Sequence, residues 1–124
     1  LARKILEVMR QTPDTAHWLP TRMHKFVKFG AVFDAMNALP NVVVRFSSDE
    51  ISGEQIAGRF TSSIFDPAQA DAQGNGAHIC PASTQAGRCG ECRACWSKNV
   101  PVVTYPQHGR KMKRANLSLQ ILGV

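Results

Sequence analysis

Val42-Val43-Val44-Arg45-Phe46, entered through Pro40-Asn41 and left through Ser47-Ser48-Asp49, is the run from which the architecture follows. It is continuous, β-branched and aromatic, and of strand rather than helix length. No apolar–polar alternation marks a wet face, so it predicts a strand covered on both sides, as in parallel sheets. Ser47, Ser48 and Asp49 fall at its carboxyl end, where open or barrel-like α/β sheets commonly meet ligands. The plainer reading is that the two serines only terminate the strand.

Upstream of this strand, Thr21 is a candidate N-cap for a helix to about Ala38, with Phe26, Phe29, Val32, Phe33 and Met36 as its buried side. His24, Lys25 and Lys28 share another face at helical spacing, a solvated stripe or a ligand contact. Thr15 to Leu19 predicts a short strand stopped by Pro20. Leu1 to Gln11 predicts a helix burying Leu1, Ile5, Val8 and Met9, ended by Pro13. Arg22, beside a strand–helix junction, suits an anion or is simply a surface arginine. His17 reads as a hydrogen-bonded core residue.

Downstream, Ser52 is a candidate cap for a short helix through Arg59, and Phe60 to Phe65 predicts a strand. Alternating helices and strands predict an α/β fold, a small mostly parallel sheet with crossover helices. Asp66 to Ala77, rich in Asp, Gln, Gly and Ala, predicts an exposed loop. Val100 to Tyr105 predicts a further strand, with Pro101 at an edge or first position. Leu117 to Leu122 alternates and adds a last one. The chain divides into an α/β part (1–65), a cysteine segment (66–98) and terminal strands with a basic patch (99–124).

The cysteine segment holds the four cysteines of the chain, Cys80, Cys89, Cys92 and Cys95, spaced C-x8-C-x2-C-x2-C. Thiolates this crowded predict a loop-rich metal module. The C-x2-C-x2-C run with a separate Cys80-Pro81 resembles the ligand pattern of bacterial ferredoxins and favours a [4Fe–4S] cluster. Structural zinc (Zn2+) is the alternative, although paired C-x2-C knuckles are its commoner signature. Gly90 has the freedom for a positive φ inside the turn. Trp96 is placed to shield the site from water, and Arg88, Arg93 and Lys98 to balance thiolate charge. His78 and His108 are placed to hydrogen-bond the ligands. Two disulfides are possible by count, but the run is too crowded for unstrained pairing and nothing marks the chain as secreted. Cys89-Gly90-Glu91-Cys92 as a redox pair leaves Cys95 unexplained.

At 124 residues and 44% hydrophobic, the chain predicts a single folded domain. No apolar run is long enough to span a membrane and no signal peptide opens it, so a reducing cytoplasm is expected. It begins at Leu1, directly in a helical pattern, and is expected to be part of a longer protein. A net charge of +6 suggests an anionic partner. No G-x-S-x-G, P-loop or H-E-x-x-H is present.

His17–Arg22 (HWLPTR) leading to Leu39–Asp49 (LPNVVVRFSSD), and Cys80-Pro81 with Cys89–Trp96 (CGECRACW) leading to Val102–His108 (VVTYPQH), resemble the gene product 88 family of phage and plasmid proteins. The resemblance covers roughly residues 5–108 and brings no assigned activity. Family members carry a further cysteine group upstream, so the resemblance implies a carboxyl-terminal part or a shortened relative. The fuller family is similar to radical-SAM-type partial α/β barrels, which would make these cysteines an auxiliary cluster. With no C-x3-C-x2-C of its own, the chain is not expected to perform radical chemistry alone.

Two function classes follow. In one, this is the cluster-bearing half of an Fe–S protein, with ligands meeting Arg22, Arg45, Ser47 and Asp49 at the strand ends. In the other, a non-catalytic zinc module binds nucleic acid through Arg110, Lys111, Lys113 and Arg114, helped by Lys25 and Lys28.

Overall fold

A computed structural model of the chain describes residues 1–49, 55–68 and 77–107. The expectations for Ser52, for most of the 66–77 loop, for His108, for the basic patch Arg110–Arg114 and for a strand at 117–122 lie outside those residues.

Strand β2, Val42–Ser47, is buried from Val42 through Phe46. Strand β1, His17–Thr21, runs parallel to it in register from His17↔Val42 to Thr21↔Phe46. On its other side β2 meets β3, Thr61–Phe65, only through Phe46↔Thr61 and Ser47↔Ser62. Asn37 occupies part of the ladder that β3 leaves open: its Oδ1 accepts the Val44 N–H at 2.7 Å, and its Nδ2 donates to the Val44 carbonyl at 3.4 Å. Strand β5, Val102–Pro106, pairs along all of β3, and the two-residue β4, His78–Ile79, pairs with β5. Every pairing is parallel, as expected, and the order is β1-β2-β3-β5-β4.

That order corrects one expectation. A partial barrel of the radical-SAM kind sets successive strands side by side, whereas here β5 is inserted between β3 and β4. The radical-SAM-like partial barrel is therefore not supported, and the described strands form a small five-stranded sheet.

Parallel register assigns the two faces. Val42, Val44 and Phe46 point one way and pack with Leu6 and Met9 of α1 (Ala2–Gln11) and Phe33 and Met36 of α2 (Gly30–Asn37). Helix α1 buries Leu6 and Met9, while Leu1 and Val8, expected inside, are exposed. Trp18, Val43, Arg45, Ser62, Val103 and Tyr105 occupy the opposite face, as the register of partners requires.

The predicted helix from Thr21 to Ala38 is broken. Two 3₁₀ turns, Met23–Lys25 and Val27–Phe29, precede α2, and Phe26 between them is extended. The break falls where Phe26, Val27, Phe29 and Gly30, all weaker helix formers, follow one another with only Lys28 between them. Thr21 Oγ1 accepts the Met23 N–H at 3.0 Å, which starts the first turn rather than a long helix. Phe26 and Val27 are consequently exposed. Pro20 does not stop β1 but lies inside it, tolerated because β1 is an edge strand. The described part of the predicted Ser52–Arg59 helix, residues 55–59, is a turn, in which Gly58 has φ +68°. Among the described residues no helix is long and apolar enough to cross a membrane.

Candidate functional site

Cys80 follows β4 directly, and its N–H donates to the Thr104 carbonyl at 2.9 Å. The ladder thus fixes this cysteine at the carboxyl edge of the sheet. Pro81 then opens a 3₁₀ turn, Pro81–Thr84, at the position where its missing N–H is harmless. The chain reverses through Ala86, Gly87 and Gly90, all at positive φ. Gly90, at φ +58°, behaves as its place in the motif predicted. Gln85 Nε2 donates to the Arg88 and Cys89 carbonyls at 3.1 and 3.2 Å, and the Cys92 N–H closes a tight turn onto the Cys89 carbonyl at 3.1 Å. A second 3₁₀ turn, Ala94–Trp96, returns the chain to the sheet.

This folding turns Cys80, Cys89, Cys92 and Cys95 toward one small pocket of about 20 Å³, with His78 and Trp96 also in its wall. All four cysteines are free of disulfides. His78 Nε2 lies 3.4 Å from Cys92 Sγ, and Trp96 packs edge-on against Trp18 with ring centroids 5.3 Å apart. Tyr105 adds a hydroxyl 3.5 Å from Cys95 Sγ, a neighbour that the spacing of the cysteines did not reveal. The donor set suits a thiolate-bound metal by chemistry. Among the described residues, however, no three His, Cys, Asp or Glu side chains stand close enough together to hold a metal ion as placed.

Arg45 ties this loop to the sheet. Its fully buried guanidinium donates to the carbonyls of Ala94 (2.9 Å), Cys95 (3.0 Å), Ser97 (3.0 Å) and Pro101 (3.4 Å). Burial pulls its proton affinity down, while Cys95 and Tyr105 pull it up. Burial pushes the Cys95 thiol up, partly countered by the Tyr105 hydroxyl and the Arg45 charge. Burial and the Cys95 contact push the Tyr105 phenol up as well.

The other predicted ligand contacts separate into two places. Ser47 and Asp49 line a cleft of about 280 Å³ with His24, Lys25 and Gln55 at the carboxyl end of β2. Arg22 and Lys25 are brought there too, and both pair with Asp49, Arg22 at 3.9 Å. Those pairs are half exposed and contribute little to stability. His24 lies flat on Phe46, ring centroids 4.6 Å apart, so one wall of the cleft is fixed by stacking. Arg45 is not in this cleft: it lies two residues before Ser47, inside β2, and its donors are taken by the carbonyls of the cysteine loop and Pro101. His17, expected to be hydrogen-bonded, contacts Thr12 Oγ1 at 2.7 Å.

Comparison with known proteins gives one match: the family described as Gene product 88, over residues 1–98. No curated protein matches the chain, and no solved structure matches it.

Proposed function

The chain belongs to the gene product 88 family, and from that ancestry and the geometry of its cysteine loop we propose that it is a metal-binding protein whose centre is held by Cys80, Cys89, Cys92 and Cys95. The observation that carries this reading is Arg45. A guanidinium withdrawn from water needs negative charge nearby, and carbonyl dipoles alone leave it costly. The groups acting on it favourably are the Cys95 thiol and the Tyr105 phenol, both of which burial drives toward their neutral forms. Uncharged, they leave the cation with the Phe60 ring, 5.7 Å away, but with no anion among the described residues. Four thiolates drawn onto a metal carry the net negative charge that Arg45 lacks.

The spacing favours a [4Fe–4S] cluster, which would supply one-electron chemistry. A second reading, a single zinc ion with a structural role, draws support from a pocket of about 20 Å³, space for one ion-sized body. The loop has little apolar content with which to offset its ordering entropy, so either group would also hold the fold of this segment.

Protein prepared without oxygen and analysed for iron, sulfide and zinc decides between them. The cluster reading expects about four iron and four sulfide per chain, and the zinc reading about one zinc and no iron. Cys92→Ser should lose the metal and expose residues 77–98 to protease while α1 and β2 stay protected. A metal-free wild-type protein with an intact, protease-resistant loop would overturn both readings.

A further inference from the structure

We propose that a second cleft, at the carboxyl ends of β4 and β5, binds a small, neutral, mostly apolar molecule carrying an N–H or O–H donor. Its volume is about 480 Å³, the size of ordinary small-molecule sites, roughly 300–1,000 Å³. Ala82, Gly87, Tyr105, Pro106 and Cys80 line it, and Cys80 is the residue that the cleft shares with the cysteine pocket. The carboxyl edge is where open parallel sheets take ligands, because strand ends and the loops after them leave a crevice there.

Polarity narrows the ligand. No Lys, Arg, Asp or Glu is among the described residues lining the cleft, so a charged guest would lose its hydration without a partner. The Tyr105 hydroxyl is already directed at the Cys95 sulfur. Two polar side chains remain: Ser83, which is exposed, and Gln107. The Gln107 backbone is fixed, its N–H donating to the Phe65 carbonyl at 2.9 Å, yet its Oε1 is withdrawn from solvent with no hydrogen-bond partner among the described residues. A buried carbonyl without a donor is costly. Once a guest has displaced water from the cleft, the amide turned toward it accepts from a ligand's N–H or O–H, whereas an apolar guest with no donor leaves the oxygen unpaired. The cleft takes such a ligand whichever metal the cysteines hold.

Equilibrium dialysis of the full chain, with its metal content as isolated, tests this with three probes of one shape: 2-naphthol, 2-methoxynaphthalene and 2-naphthoate. The expected result is saturable binding of 2-naphthol, about tenfold tighter than either relative, the difference of one well-made buried hydrogen bond. Gln107→Leu should close the gap between naphthol and methoxynaphthalene to within about twofold, and Ser83→Phe, at the rim, should weaken both with metal content unchanged. No saturable binding of 2-naphthol, equal affinity for all three probes, or binding indifferent to both substitutions would overturn the proposal.

Discussion

Consecutive residues of β2 face two different environments. Val42, Val44 and Phe46 meet Leu6, Met9, Phe33 and Met36, an apolar contact between regular elements. Arg45, from the same strand, meets the carbonyls of a loop made of short turns and positive-φ residues. The first contact is stabilised by area removed from water, needs no exact partner, and tolerates changes of shape. The second depends on matched donors and acceptors and on charge, and it fails sharply when one member is missing. A single sheet thus carries a helical face held by apolar contact and a cysteine face tied to it by one arginine and, on the proposed reading, by a metal.

The largest effect should come from breaking the polar side of this comparison. Arg45→Met keeps the length and apolar stem but strips the donors from four carbonyls. Stability should fall by about 3–5 kcal/mol, the range for removing one partner of a buried charged network. Chemical denaturation measures the loss, and hydrogen exchange should place it first in residues 80–97. Metal content should fall with it. A change under about 1 kcal/mol would mean that water replaces the guanidinium at no cost.

The apolar face gives a smaller and differently shaped response. Met36 is fully buried between α2 and β2. Met36→Ala should cost about 2–4 kcal/mol through lost burial and the cavity left behind. The distinguishing outcome is metal content, expected to equal wild type, because the Met36 side chain packs in the apolar cluster with Val42, Val44 and Phe46, on the face opposite Arg45. If Met36→Ala released the metal as Arg45→Met does, the two faces would be one cooperative unit.

How much of this was legible in the sequence follows the same division. The run Val42–Phe46 announced a strand covered on both faces because local composition encodes that directly. Arg45 inside it was also visible, but reading it as a residue at the ligand edge overlooked that it lies inside the strand, where the covering loop takes its donors. Position 45 points to the face opposite Phe46, and what covers that face depends on β5 lying between β3 and β4. Insertion order is a long-range pairing that leaves no local mark, and it hid Tyr105 beside Cys95 for the same reason. The turn chemistry at Gly90 was readable because a positive φ selects its residue. The break at Phe26 was not anticipated because apolar spacing and most of the segment's residues suggested a helix, while only the short run Phe26, Val27, Phe29 and Gly30 weakened it. The substitution of Asn37 for a missing strand partner at Val44 arises only once α2 and β2 pack.

The smallest effect tests the seam between the two regions. Trp18 of β1 meets Trp96 of the cysteine loop edge-on, so shortening it ought to loosen the loop. An edge-to-face aromatic pair contributes about 0.5–1.5 kcal/mol beyond its buried area. Trp18 Nε1 is, however, buried with no acceptor among the described residues, and a donor in that state costs about 1–3 kcal/mol. Trp18→Phe removes some contact and also removes the unpaired N–H, so the two contributions oppose each other. Net stability should change by less than about 1 kcal/mol, far less than ordinary truncation of a large aromatic residue. The fluorescence of Trp96, then the sole tryptophan among residues of this pair, reports whether the loop stays packed. A loss above about 2 kcal/mol would mean that the indole N–H has an acceptor and that the seam is stabilised by a polar contact, as the rest of the cysteine face is.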